Sequence, residues 1–343
     1  MITRRRSLGI LGSLAAVAAA PRTGLAQSGQ PLVFVAWGGS TQEGQAKAWG
    51  DPFTAQTGIP VLLDGPTDYG KIAAMVEAGS VDWDVVDVEH DFAIYAGNAG
   101  MLEPLDWSMI NRDELDPRFV TDYSFGSFYF SFVLGFQNGA FEEKPQTWAD
   151  MFDLERFPGK RGYYQWSTAG VYELALLADG VAPEDLYPLD VDRALAKLDT
   201  IKSEIVWWGS GAAGQQQLAS GETPMGMYWN TRVHVLQTEG EDVGISWEQN
   251  MAAADMLVVP RGTRNKEAAM QFLAIAGSAE GQAEMSRLLG LAPTNLKSLE
   301  LLDDAARSVL PTAHADKGFT LDNDYWAANR DMLGARWYEW QAG

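Results

Sequence analysis

Leu32 to Trp37 is an apolar, β-branched-rich run that ends at Gly38-Gly39, and helical spacing follows from Gln42 to Gln56. Strand, glycine turn and helix in that order open an α/β domain. The pattern repeats with a strand at 59–63, a helix at 69–78 and a strand at 83–88. Continued alternation predicts a largely parallel sheet covered on both faces. Ligands of such sheets sit beyond the carboxyl ends of the strands. Here that means the loops Trp37 to Ser40, Asp64 to Tyr69 and Glu89 to Asp91.

From Tyr123 to Gln137 runs an aromatic segment whose alternation fits a long buried strand, a natural connection between two lobes, with a hinge expected just after it. A second α/β unit then begins. It has a helix from Thr147 to Phe152, a Pro158-Gly159 turn feeding a strand at 163–166, and a helix at 189–201. A short strand at 206–208, a glycine turn with a glutamine-rich helix at 209–218, and a strand at 225–229 follow. The segment 245–259 returns toward the first unit, and 265–289 reads as a helical pair. No fixed-period repeat or flexible linker separates the units, so strands rather than a tether should join them.

The N-terminus carries a different signal. Thr3-Arg4-Arg5-Arg6-Ser7-Leu8, an apolar run from Leu11 to Ala20 and Gly24-Leu25-Ala26 before Gln27 have the layout of an export signal, residues 1–26. The paired arginines favour the twin-arginine route, and the apolar run is too short to span a bilayer. A soluble periplasmic protein is the expectation.

The chain has 343 residues, more than one core usually serves, so two domains are expected. With no cysteine, disulfides and thiolate metal sites are excluded, and no cofactor is implied. A net charge of −21 repels nucleic acid and anionic membranes and favours cationic ligands. Thirteen tryptophans exceed what a core needs, which assigns some of them to a pocket.

Several stretches, in order, resemble the spermidine/putrescine-binding branch of the periplasmic solute-binding proteins of ABC transporters. They include Phe34-Val35-Ala36-Trp37-Gly38-Gly39, Trp83-Asp84-Val85-Val86, Pro145-Gln146-Thr147-Trp148, Phe157-Pro158-Gly159-Lys160-Arg161-Gly162, Gly221-Glu222-Thr223-Pro224-Met225-Gly226, Trp229-Asn230 and Val259-Pro260-Arg261-Gly262-Thr263. The resemblance implies an α/β, two-lobed type II periplasmic-binding fold whose chain crosses twice between lobes. It also implies a ligand cleft between the lobes and a membrane permease as partner of a monomeric binder. Residues 27–137 and 256–303 would form one lobe, and 138–255 with 304–343 the other.

In that branch aromatic side chains sandwich a methylene chain and carboxylates hold its ammonium groups. Trp37, Trp229 and Trp247 fall at positions similar to the aromatics, and Asp255 at a pairing carboxylate. The stretch Trp166 to Val171 lacks the two acids expected there. Arg232, three residues beyond Trp229, would repel a second ammonium but hold a carboxylate through two parallel hydrogen bonds. Asp255 with Arg232 therefore specifies a short zwitterion, similar to what γ-aminobutyrate-binding relatives use. Glu89 and Asp91 keep a diamine or polyamine open as the alternative.

Tyr69 and Trp208 complete the candidate site, with Ser210 and Trp166 at its margin. Each candidate has an ordinary reading beside the functional one: Trp37 as core filler, Asp255 as a hinge hydrogen-bonding group, Arg232 as a salt bridge. The widely separated His90, His234 and His314 lack the spacing of a metal pair. Gly209, Gly211 and Gly214 echo a dinucleotide loop, which in a binding protein could instead offer backbone N–H groups to a carboxylate. A secreted hydrolase or lyase using the same cleft is the competing class.

Overall fold

The computed structural model describes residues 30–343, so the export signal lies outside the described residues. The chain begins β1 (Leu32–Val35), α1 (Gly39–Gln45), a π-helical turn (Ala46–Gly50), α2 (Asp51–Thr57), β2 (Val61–Asp64), α3 (Tyr69–Ala78), β3 (Val85–Glu89) and α4 (His90–Asn98). The long β4 (Ser124–Gln137) leads to α5 (Trp148–Phe152), β5 (Arg161–Tyr164), α6 (Val171–Ala178), α7 (Val191–Asp199) and β6 (Ile205–Trp208). Next come α8 (Gly211–Ser220), β7 (Met225–Trp229), α9 (Asn230–Glu239) and β8 (Val243–Val258). The chain closes with α10 (Lys266–Ala276), α11 (Ala279–Leu289), α12 (Asp304–Ser308), β9 (Gly318–Thr320) and α13 (Asn323–Ala342).

The strands join in the order β2-β1-β3-β8-β4-β7-β5-β6, with β9 on β8. The two ends are parallel, as the sequence predicts: β1 pairs with β2 and β3, and β5 with β6 and β7. The centre corrects the expectation of a largely parallel sheet, because β8 runs antiparallel to β3 and β4, and β4 antiparallel to β7. A chain that crosses along β4 and returns along β8 must run in opposite directions, and no helix is needed between strands so related.

Burial shows why two units form. In the first, Phe34 and Val85 pack into one core while Val35, Val86 and Val88 pack into another, so alternate residues of each strand serve opposite faces of the sheet. The second core joins Phe132, Leu134, Trp148, Tyr163, Tyr228 and Met251 with Trp326, Leu333 and Trp337 of α13. Helix α13 is fixed there by polar bonds too. The buried Glu173 accepts from Trp326 Nε1 at 2.6 Å, Tyr187 Oη at 2.7 Å and the Gly170 N–H at 2.8 Å. Arg161 is wholly buried and donates to the carbonyls of Met151 (2.6 Å), Gly159 (2.7 Å) and Phe157, which pins the Pro158-Gly159 turn.

Phe130 is half-buried and packs against cores on both sides. It shares a face of β4 with Phe128 and Phe132, at ring distances of 6.5 and 5.6 Å. The floor between the lobes is thus aromatic.

Candidate functional site

The first lobe brings its three predicted loops together. Trp37 is 39% exposed just beyond β1, and its ring meets Tyr69 edge-on at 6.0 Å. Tyr69 donates to Glu89 Oε2 at 3.0 Å, accepts from the Glu89 N–H at 3.2 Å and stacks on Phe92 at 3.7 Å. Its phenol is pushed well up, first by burial and then by Glu89 and Asp91.

Asp255 faces Glu89 in register across β8 and β3. It is 8% exposed, and no cation lies within salt-bridge distance among the described residues. Burial, then Asp87 and Glu89, push its carboxyl well above the ordinary range, while the Trp37 side chain works against them. Asp87, also buried, accepts from Gln45 and from Ser127 Oγ at 3.2 Å and is raised to about 7 by burial. A buried carboxylate without a counter-ion is costly, and an ammonium group is what would relieve it.

The second lobe supplies the opposite charge. Strand β7 ends at Trp229, whose ring lies 5.6 Å from Phe130, 5.6 Å from Tyr164 and 5.1 Å from Trp208. Helix α9 starts at the next residue with no side-chain cap. Trp229 Nε1, Asn230 Nδ2 and Arg232 Nε are buried and lack hydrogen-bond partners. Burial lowers the pKa of Arg232, and among the described residues no carboxylate lies within salt-bridge distance of it. Three donors without partners thus fall within four residues at the positive end of a helix, where negative charge is favoured.

Gly211 explains part of the glycine pattern. A Cβ there would lie 2.3 Å from Arg232 Nε and 2.8 Å from Trp229 Cζ3, and one on Gly214 would lie 3.0 Å from Trp208. These glycines let the side chains of Arg232, Trp229 and Trp208 press against α8. The Ser210 side chain caps α8 by accepting from the Ala213 N–H at 3.3 Å.

The remaining candidates differ in placement. Trp208 is 1% exposed, gives its N–H to the Met227 carbonyl at 3.0 Å and packs behind Trp229. Trp166 is 46% exposed and donates to the Gly209 carbonyl at 3.0 Å. Trp247 is not brought together with Trp37 and Trp229; it stacks on His314 at 4.1 Å. The reason is a break in register: Phe132 pairs with Met251 but Leu134 with Ser246, so 247–250 of β8 bulge away from β4, with Gln249 at φ 57°.

Glu89 and Asp91 are brought together, but with a partner the sequence reading missed. Arg330, on α13, forms a short ion pair with Asp91, approaches Glu89 at 3.8 Å and lies over the Tyr69 ring at 4.9 Å. Burial, then Asp91, raise Glu89 to about 7, and Arg330 works against both. The missed residues Phe130, Tyr164, Asn230 and Arg330 lack a local signature. Asn230 stood within the quoted Trp229-Asn230 motif and Phe130 within the aromatic segment, but neither was singled out.

The histidines stay apart, and the described residues contain no cluster of three His, Asp or Glu able to hold a metal. Nor does a helix among them have the length and apolarity to cross a membrane.

Comparison with known proteins identifies the family of the chain. Over 322 residues the chain is 33% identical to a gamma-aminobutyric acid-binding protein of Pseudomonas aeruginosa, covering 91% of each. It is 23% identical over 297 residues to the spermidine/putrescine-binding periplasmic protein of Escherichia coli, covering 81% of this chain and 84% of that one. Among solved structures, the Atu4243–GABA receptor superposes with a TM-score of 0.88 at 55% identity, covering 91% of this chain and 98% of that one. The Agrobacterium tumefaciens R10 binding protein AgtB, in complex with agropinic acid, gives 0.83 at 34% identity, covering 92% and 99%. The family model of the bacterial extracellular solute-binding proteins matches residues 48–312, and the chain belongs to that family.

Proposed function

We propose that this protein is the extracytoplasmic substrate-binding component of an ABC transporter, with an ω-amino acid of the γ-aminobutyrate type as its ligand. The observation that carries the reading is that Asp255 and Arg232, groups of opposite sign, flank an aromatic floor and neither has a counter-ion among the described residues. The ammonium end would pair with Asp255 beside Trp37. The carboxylate would take the donors of Trp229, Asn230 and Arg232, and the methylenes would lie on Phe130 and Trp229. Trp208 supports Trp229 from behind in this reading, and Trp247 has no ligand contact.

The named relatives support the choice, since both a gamma-aminobutyric acid-binding protein and a GABA receptor are similar to this chain over nine-tenths of its length. A polyamine is disfavoured because Arg330 already engages Glu89 and Asp91. The protein acts by stoichiometric capture rather than turnover, as a periplasmic monomer exported by residues 1–26, and delivers its ligand to a membrane permease. We draw the two lobes by core membership, with crossings in β4 and β8 near Phe130 and Ala253, and assign 304–317 to the first lobe because Leu310 packs there.

A thermal-shift panel tests the reading, because a ligand bound only by the native state raises the melting temperature more the tighter it binds. Shifts with γ-aminobutyrate and 5-aminovalerate, and none with putrescine or spermidine, are expected. Shifts confined to the amines would overturn the ligand assignment.

A further inference from the structure

Arg330 joins two parts of the molecule that have separate cores. Its helix belongs to the second core through Trp326, Leu333 and Trp337, and Glu173 and the Tyr172 Oη bond to the Leu333 carbonyl (2.8 Å) hold it there. The guanidinium nevertheless ends in the first lobe. It bonds Asp91, lies 3.8 Å from Glu89 and covers the rings of Tyr69 and Phe92 at 4.9 and 5.6 Å. Phe92 and Ala93 pack in the first-lobe core, so these acids move with that lobe.

We propose that Arg330 is an interlobe latch, closing on Asp91 and Glu89 when the lobes meet and holding the closed form without contacting the ligand. Asp91 is 1% exposed and accepts no side-chain hydrogen bond among the described residues except that of Arg330. Opening the cleft therefore separates a mostly buried cation from both acids and unstacks it from two rings, and water must replace all of these contacts. A contact present only in the closed state shifts the open–closed equilibrium and enters the affinity of every ligand by the same factor. This separates it from Arg232, which favours ligands that bear a carboxylate. The latch also keeps Glu89 and Asp91 from acting as a second ammonium site. It depends on the ω-amino acid reading only for its choice of probe.

The chain has no cysteine, so Glu77→Cys and Glu184→Cys, at exposed positions of the two lobes, accept a donor–acceptor dye pair without interference. Closure is followed by energy transfer during titration with γ-aminobutyrate and with 5-aminovalerate. Arg330→Gln should raise the half-closing concentration of both ligands about tenfold or more, with their ratio unchanged within twofold. Arg330→Lys should recover part of the loss, and Asp91→Asn should repeat it without adding to Arg330→Gln in the double variant. Unchanged closure, or a loss for one ligand only, would overturn the latch. A wild-type protein that ignores every ω-amino acid would instead refute the ligand reading. The latch is then decided by the ligand-free dye distances: wider in Arg330→Gln supports it, and equal distances refute it.

Discussion

Asp255 and Trp229 flank β4 from opposite sides, Asp255 across from Phe128 and Trp229 across from Phe132. Four strand positions span about 13 Å, and Phe130 lies between them. One strand thus sets the separation between the end of the cleft that lacks a cation and the end that lacks an anion.

Asp255→Asn should cut affinity for γ-aminobutyrate a hundredfold or more, since stripping one partner from a buried charge pair costs about 3–5 kcal/mol. The same change should leave the ligand-free melting temperature unchanged or higher, because burial already disfavours the charged carboxylate. Calorimetry and thermal unfolding check the two halves. A loss of stability with unchanged affinity would make Asp255 a structural residue.

Arg232→Ala should weaken γ-aminobutyrate far more than butylamine, which has no carboxylate to place. Competition binding gives the ratio, and equal losses would remove Arg232 from the anion site.

Gly211→Ala tests the close approach behind that site. A Cβ 2.3 Å from Arg232 Nε must displace the guanidinium or the start of α8. Affinity for ω-amino acids should fall at least tenfold while the far-UV circular dichroism is retained. Unchanged affinity would show that the guanidinium has room to move.

Glu89 and Asp87 are raised to about 7, above their unfolded values, so the folded state holds their protons more tightly. Their contribution to stability is therefore lost as pH rises from the ordinary carboxylate range through 7. His90, lowered by burial to about 4, has the opposite slope, but its contribution is complete above pH 6.5. Between pH 6.5 and 8 the ligand-free melting temperature should fall, and Asp87→Asn should flatten that slope. A melting temperature that rises through this window would contradict the assignment.

How much of this was legible in the sequence follows from how local each signal is. The strand–turn–helix units at 32–56 and 205–220 were readable because glycines end the strands and periodicity marks the helices. Helix α3 was foreseen at its observed bounds, Tyr69–Ala78; that Asp68 caps it comes from the structure. The central antiparallel pair was not readable as such, since strand direction depends on where the chain returns. Trp37 and Asp255 were singled out through the family resemblance as well as their settings, a glycine-flanked strand end and an apolar run, and Arg232 through its place three residues beyond Trp229. Trp247 was grouped with Trp37 and Trp229, although the spacing through Ser246 to Ala254 was hard to follow there, where the four-residue bulge stacks it on His314. Arg330 is separated from Asp91 by 239 positions and lies in a helix the sequence reading did not assign, so only the folded chain reveals the pair.

The measurement that bears most directly on the account is a calorimetric comparison of γ-aminobutyrate, butylamine, butyrate and putrescine on the protein lacking residues 1–26. The account predicts one site for γ-aminobutyrate, with the other three bound at least a hundredfold more weakly, because each leaves Asp255 or Arg232 without its partner. Putrescine binding as tightly as γ-aminobutyrate would contradict it.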